Sequence, residues 1–207
     1  MHGFRNFLVK CFNVVYPYKI YGKENIPEGG AILVCNHFSA IDCAFLVNVY
    51  SKDNFFMCKK EIFDSKFLAF FVKRFGGIPI DRGGTDLKSF FATVKILKGD
   101  HKLTIFAEGT RNKTGTDELQ ELKSGPTVLS VKTKKPIVPI MILKKPKIFR
   151  RTKLLVGKPI DFSEYYDKKF DQDAIDKMNL ILRESMLEVQ RELKEKVYSK
   201  KRKTKSR

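Results

Sequence analysis

Three short polar clusters each follow an apolar run, and together they hold side chains suited to acid–base chemistry on a charged substrate. Asn36-His37-Phe38-Ser39-Ala40-Ile41-Asp42 follows Ala31–Cys35, Asp81-Arg82 follows Ile78–Ile80, and Glu108-Gly109-Thr110-Arg111 follows Leu103–Phe106. On a regular helix, His37 and Asp42 would be rotated by about 140° and would not share a face. The pair can meet only if His37 sits on the turn before a helix that runs through Asp42, Ala44 and Leu46, with Ser39 as N-cap. Asp42 would then fix the imidazole tautomer and favour the cation formed when His37 takes a proton. No Gly-x-Ser-x-Gly elbow occurs in the chain, so the group that His37 deprotonates is expected to be a substrate hydroxyl. Arg82 and Arg111 suit bidentate binding of a phosphate. Either one alone reads better as a structural ion pair with Asp81, Glu108 or a nearby carboxylate, but two beside a His/Asp pair favour a site. His2 and His101 stand alone and read as exposed or structural.

For these clusters to converge, the runs before them must be parallel strands with a common carboxyl end, where ligands bind in open α/β sheets. From Gly30 onward, short apolar runs do alternate with helical patterns. The expected strands are Ala31–Cys35, Phe55–Cys58, Ile78–Ile80, Leu103–Phe106, Ile137–Leu143 and Leu154–Val156. Residues 86–98 place Leu87, Phe90, Phe91, Val94 and Leu97 on one helical face, with Thr85 or Asp86 as N-cap. A long amphipathic helix starts near Asp173 and carries Ile175, Met178, Leu182, Val189 and Leu193. The fold expected is a single α/β domain with a mostly parallel or mixed sheet flanked by helices. It divides into an amphipathic segment over 1–20, the α/β body over 21–166, a C-terminal helix over 167–199 and a basic tail over 200–207, expected to be disordered.

Composition narrows the partner. The 207 residues carry 41 Lys and Arg against 23 Asp and Glu, a formal charge of +18, with 18 Phe and no Trp. A one-sided excess of that size implies an anionic membrane surface, a phosphorylated substrate or nucleic acid. The first sixteen residues set Phe4, Phe7, Leu8, Cys11, Phe12 and Val15 at helical spacing among Arg5, Asn6 and Lys10, which fits a helix packed on the core or one lying on anionic lipid. No run approaches the roughly 18 apolar residues that a spanning helix needs. The four cysteines, Cys11, Cys35, Cys43 and Cys58, lack metal or redox spacing and no secretory signal precedes them, so they read as reduced thiols on the cytosolic side.

Read in order, the clusters resemble those of the 1-acyl-sn-glycerol-3-phosphate acyltransferases within the wider glycerolipid acyltransferases. Asn36-His37-x4-Asp42 resembles the family's catalytic motif, and Gly77-Ile78-Pro79-Ile80-Asp81-Arg82 the second block, whose arginine is assigned to the acceptor phosphate. Phe106-Ala107-Glu108-Gly109-Thr110-Arg111 resembles the third, tied to acceptor binding, and Val138-Pro139-Ile140 the fourth. Lys59-Lys60-Glu61-Ile62-Phe63, Lys123-Ser124-Gly125 and Gly157-Lys158-Pro159-Ile160 fit the connecting text, so the match runs from about Tyr21 to Tyr166. Ala107 replaces the usual proline, and Leu122 stands where an aromatic commonly precedes the lysine.

The resemblance implies acyl transfer from acyl-CoA or acyl-carrier protein to the sn-2 hydroxyl of lysophosphatidic acid, giving phosphatidic acid. His37 and Asp42 would be catalytic, while Arg82, Glu108, Gly109, Thr110, Arg111 and Lys123 would bind the acceptor. A thioester is already activated, so no metal and no organic cofactor is called for. The enzyme is expected at the cytoplasmic face of the membrane, peripheral, with Phe4, Phe7, Leu8 and Phe12 and the helical series Phe67, Phe70 and Phe71 touching lipid or the acyl chain. Four rival readings remain: another lysolipid acceptor, thiol chemistry at Cys35, a catalytically inactive lipid-binding member, which the intact His37 and Asp42 argue against, and a basic nucleic-acid-binding protein. The last finds no zinc-finger spacing, RNA-recognition aromatic motif or basic region joined to heptads, so no nucleic acid is expected.

Overall fold

The computed structural model describes residues 2–50, 54–80, 87–169 and 171–205. The helix expected over 86–98 is present from Leu87, but its cap candidates Thr85 and Asp86, together with Asp81 and Arg82, lie outside the described residues. A helix α1 (His2–Val15) and a short strand β1 (Tyr18–Tyr21) lead into β2 (Ala31–Cys35), α2 (Asp42–Val49) and β3 (Asn54–Lys59). Then come α3 (Lys66–Arg74), β4 (Gly77–Ile80), α4 (Leu87–Lys98), β5 (Lys102–Phe106) and α5 (Gly125–Thr133). The hairpin strands β6 (Ile137–Ile142) and β7 (Thr152–Val156) precede the long α6 (Gln172–Lys205).

The strands form one sheet in the order β1-β7-β6-β2-β5-β3-β4. β2 pairs in parallel with β5 and β6, and β3 in parallel with β5 and β4. All five therefore end at the same edge. β7 runs antiparallel to β6, and β1 parallel to β7. β1, which the sequence reading does not assign, completes the sheet at its far side.

Every residue of β2, β5 and β6 is buried, the pattern of strands covered on both faces. Period-2 alternation sends Ile32, Val34, Leu103 and Met141 to one face, where α4, α5 and α6 contribute Leu97, Leu129, Met178 and Leu182. Leu33, Cys35, Val138 and Ile140 go to the other face, under Phe45, Leu46 and Val49 of α2. Lys102 breaks the apolar pattern of β5; its ammonium donates to the carbonyls of Pro27 and Gly29 and sits over the Tyr50 ring, and burial pushes its pKa down.

Capping fixes several helix starts. The Ser65 hydroxyl accepts from the Leu68 amide at the start of α3, and Asp171 accepts from Ala174 as α6 begins. α5 escapes periodicity analysis because Pro126, Thr127, Leu129, Ser130, Val131 and Thr133 are all buried, so no polar face marks it. The last helix continues to Lys205, so the segment expected to be a disordered tail is helical through that residue; lysine and arginine are good helix formers.

Phe45 joins α1 to the body. Its ring meets Phe12 at 5.2 Å, Tyr16 at 6.4 Å and Tyr18 at 6.5 Å, all edge-on. Phe12, expected to meet lipid, is thus turned inward, because α1 must bury one stripe to dock. Phe7 is on the opposite side and exposed, Leu8 is half-buried, and the side chain of Phe4 lies outside the described residues. On α3, Phe67 and Phe70 are exposed and Phe71 is half-buried between them. Phe45→Ala should cost about 3–5 kcal/mol, seen as a lower urea midpoint with an unchanged slope.

Candidate active site

The turn after β2 is built around one carboxylate. Asp42 is the first residue of α2, and its Oδ2 reaches back to accept from the Phe38 amide at 2.6 Å, the Ser39 amide at 2.7 Å and His37 Nδ1 at 2.9 Å. The chain closes on itself through Asp42 N–H to the Ser39 carbonyl, 3.0 Å. Ser39 is therefore not the side-chain cap that the sequence suggests. Ile41 occupies the cap position, and the capping relation runs the other way, from the Asp42 side chain to the amides before the helix. His37 lies outside the helix, so the two side chains can meet.

Asp42 is fully buried and the His37 side chain is 13% exposed, so the imidazole keeps a small exposure to solvent. An ionised carboxylate only accepts hydrogen bonds, so Nδ1 is the donor of this contact and, in the neutral ring, Nε2 holds the lone pair. The ring lies flat against Phe106, centroids 3.9 Å apart and planes at 16°. Packing on one face and a hydrogen bond at Nδ1 together leave the ring little freedom to rotate.

Two further side chains fasten this turn to the neighbouring strands. Glu108, just beyond β5, accepts from the His37 amide at 2.9 Å through Oε1 and from the Gln120 amide at 3.3 Å through Oε2. It braces backbone on both sides and does not pair with Arg111. Burial pushes the Glu108 carboxyl above the ordinary glutamate range, an effect that the two amides and nearby His37 offset only in part. Asn36 spans to β6, donating to the Ile142 carbonyl at 3.0 Å and accepting from its amide at 2.8 Å. Asn112 donates its amide to the His37 carbonyl at 2.7 Å. The sequence reading gives no role to the Asn36 clasp, Asn112, Gln120 or the Phe106 stack; only the adjacency of Asn36 to His37 hints at one of them.

Two of the cations expected to hold phosphate, Arg111 and Lys123, are carried by segments that backbone hydrogen bonds tie to this edge. Arg111 and Thr110 are exposed on the loop after β5, and the Asn112 bond holds that loop against His37. Gly109 adopts φ +65°, and a Cβ there would approach Lys123 Cγ to 3.3 Å, so glycine suits both the left-handed turn and the lysine stem crossing it. Lys123 is in turn tied by its amide to the Ala107 carbonyl at 2.8 Å. β4 ends at the same edge, immediately before Asp81 and Arg82.

Cys35 fits no nucleophilic role. It is fully buried, and burial, with Asp42 and Glu108 nearby, holds its thiol well above the ordinary range. Cys43 is pushed up to about 12 for the same first reason. Among the described residues, no three His, Cys, Asp or Glu side chains cluster to hold a metal ion.

A family model described as Acyltransferase matches residues 17–143, from before β1 to the end of β6, and so takes in every described cluster around His37. This chain belongs to the acyltransferase family. A Bacillus subtilis relative named 1-acyl-sn-glycerol-3-phosphate acyltransferase is 30% identical over 71% of this acyltransferase and 75% of its own length. A relative of the same name from Streptococcus pneumoniae is 26% identical, covering 75% of this chain and 60% of its own. The crystal structure of the 1-acyl-sn-glycerophosphate (LPA) acyltransferase PlsC from Thermotoga maritima shares the fold, with TM-score 0.66 and 20% identity over 92% of this chain and 80% of that one.

A group whose folded pKa lies above its unfolded value binds more protons when folded, so stability falls as pH rises between the two. Wild type should therefore lose stability relative to Glu108→Gln as pH climbs from the ordinary glutamate range to the raised value. Urea unfolding of both proteins across that window checks this; a constant difference would contradict it.

Proposed function

We propose that this acyltransferase moves a fatty acyl group from an acyl thioester, acyl-CoA or acyl-carrier protein, to the sn-2 hydroxyl of 1-acyl-sn-glycerol-3-phosphate, giving phosphatidic acid. The observation that carries the reading is the 2.9 Å contact between His37 Nδ1 and a buried Asp42, which leaves Nε2 as the base. Nε2 takes the acceptor hydroxyl proton as the oxygen attacks the thioester carbonyl. Asp42 stabilises the resulting imidazolium. Collapse of the tetrahedral adduct breaks the carbon–sulfur bond, and the imidazolium returns its proton to the departing thiolate. Atoms and charge balance with no covalent acyl-enzyme, and a thioester is reactive enough to need no metal or organic cofactor.

The acceptor phosphate is assigned to Arg111, Lys123 and Arg82, with Gly109 and Thr110 shaping the loop that carries it. Glu108 acts through the His37 backbone, as a positioning residue. The names of the Bacillus and Streptococcus relatives support the choice of acceptor. No helix among the described residues is long and apolar enough to cross a membrane. The proposed association is with the anionic cytoplasmic surface, through the outward stripe of α1 that includes Phe7 and through the exposed rings Phe67 and Phe70 on α3. Nucleic acid has no part in this reading.

Transfer from labelled acyl-CoA, and separately from acyl-carrier protein, to lysophosphatidic acid in mixed micelles tests it, with monoacylglycerol and a lysophospholipid bearing a headgroup as comparison acceptors. Phosphatidic acid should form preferentially, and His37→Ala should lower kcat by about 10²–10⁴ with a near-native circular dichroism spectrum. Preference for an acceptor lacking the terminal phosphate, or equal product from His37→Ala, would overturn the reading.

A further inference from the structure

The turn between β6 and β7 has no part in the site described above, yet its charge is strongly one-sided. Residues 144–153 hold six lysines and arginines and no acidic residue. At the tip, Lys147 and Arg150 pair across the turn, and the two residues between them are Ile148 and Phe149, 56% and 74% exposed. An isoleucine and a phenylalanine held outward by a closed turn between flanking cations do not contribute to a core. Phe149 also takes φ +56°, a conformation that asparagine or glycine would adopt more readily than an aromatic residue.

Topology decides where this tip points. β6 is parallel to β2, so its end, and the hairpin that follows, lie at the sheet edge that carries His37. Asn36 ties that end directly to the catalytic turn through Ile142. The Phe149 amide donates to the Val15 carbonyl at 2.8 Å, joining the tip to the last residue of α1. The outward stripe of α1, Phe7, Cys11 and Val14, is thereby continued by the hairpin. On the other side Lys144 sits over the Tyr198 ring, two residues before the basic run that opens at Lys200.

We propose that the β6–β7 hairpin is a membrane-docking element: Ile148 and Phe149 enter the interface of an anionic bilayer while Lys145, Lys147, Arg150 and Arg151 meet its phosphates. Apolar tip and cationic collar have the chemistry of an interfacial anchor, in which burial and charge act together. Nucleic acid would match the charge but leave the two apolar side chains in water. Docked in this way, the sheet edge with His37 faces the layer from which a lysolipid acceptor would come. That last consequence rests on the proposed function, whereas the docking itself does not.

The test uses the full chain and a double variant, Ile148→Ser with Phe149→Asn, the asparagine chosen because it tolerates positive φ. Co-sedimentation is measured without donor or acceptor, on phosphatidylcholine vesicles with and without phosphatidylglycerol. Wild type should bind the anionic vesicles much more tightly than the neutral ones, and the variant should lose about tenfold or more of that binding, as removal of two buried apolar side chains implies. Acyl transfer to a short-chain monomeric acceptor should be unchanged in the variant. Equal vesicle binding by the two proteins would overturn the proposal. So would equal binding to neutral and anionic vesicles, loss of monomer turnover together with binding, or a duplex RNA outcompeting the anionic vesicles for wild type. If wild type turns over no acceptor at all, the proposed function fails while the vesicle data still judge the hairpin.

Discussion

A single carboxylate oxygen organises the turn that follows β2. Asp42 Oδ2 draws together the imidazole of His37 and two consecutive backbone amides, all within 2.9 Å. Charge-assisted bonds of this kind are short and directional, and the oxygen's full burial removes water as a competitor. The same oxygen holds the peptide ahead of α2 in a turn, places the histidine off the helix and selects its tautomer. Removing the charge would therefore affect backbone conformation and ring chemistry together.

The parallel sheet makes that turn useful. Side chains beyond β2, β5 and β6 are brought to one edge, where Glu108, Asn36 and Asn112 fasten the three loops to one another through backbone groups. Each fastening satisfies polar groups that would otherwise be buried unpaired. Glu108 shows the balance: desolvation raises its carboxyl even though two amides favour the ionised form. The edge is held by hydrogen bonds to backbone, and the exposed cations Arg111 and Lys123 remain open to solvent.

Much of this was legible in the sequence, and the failures have physical causes. Fully apolar runs such as Ala31–Cys35 and Ile137–Leu143 announce strands covered on both faces, and the polar clusters after Ala31–Cys35 and Leu103–Phe106 come to one sheet edge. The spacing of His37 and Asp42 also required a histidine outside the helix. It did not reveal that the cap would be reversed, because Ser39 has the better local propensity while Asp42 wins by accepting three donors at once. β1 escapes the pattern because three half-buried residues and the exposed Lys19 at a sheet edge carry little periodicity, and α5 because burial on nearly all sides erases its amphipathicity. The spacing offers Arg111 as a partner for Glu108, whereas the amides of His37 and Gln120 that it holds are contacts that only the folded chain brings within reach.

The central claim is that His37 and Asp42 act as one base, and a double-mutant cycle on kcat tests it most directly. His37→Ala, Asp42→Asn and the double variant would be compared with wild type on one acyl thioester and one acceptor. Groups that work as a unit are non-additive. The account predicts that Asp42→Asn alone is severely impaired and that adding it to His37→Ala costs almost nothing further. Losses that multiply across the two positions, or an Asp42→Asn enzyme with near wild-type turnover, would contradict it.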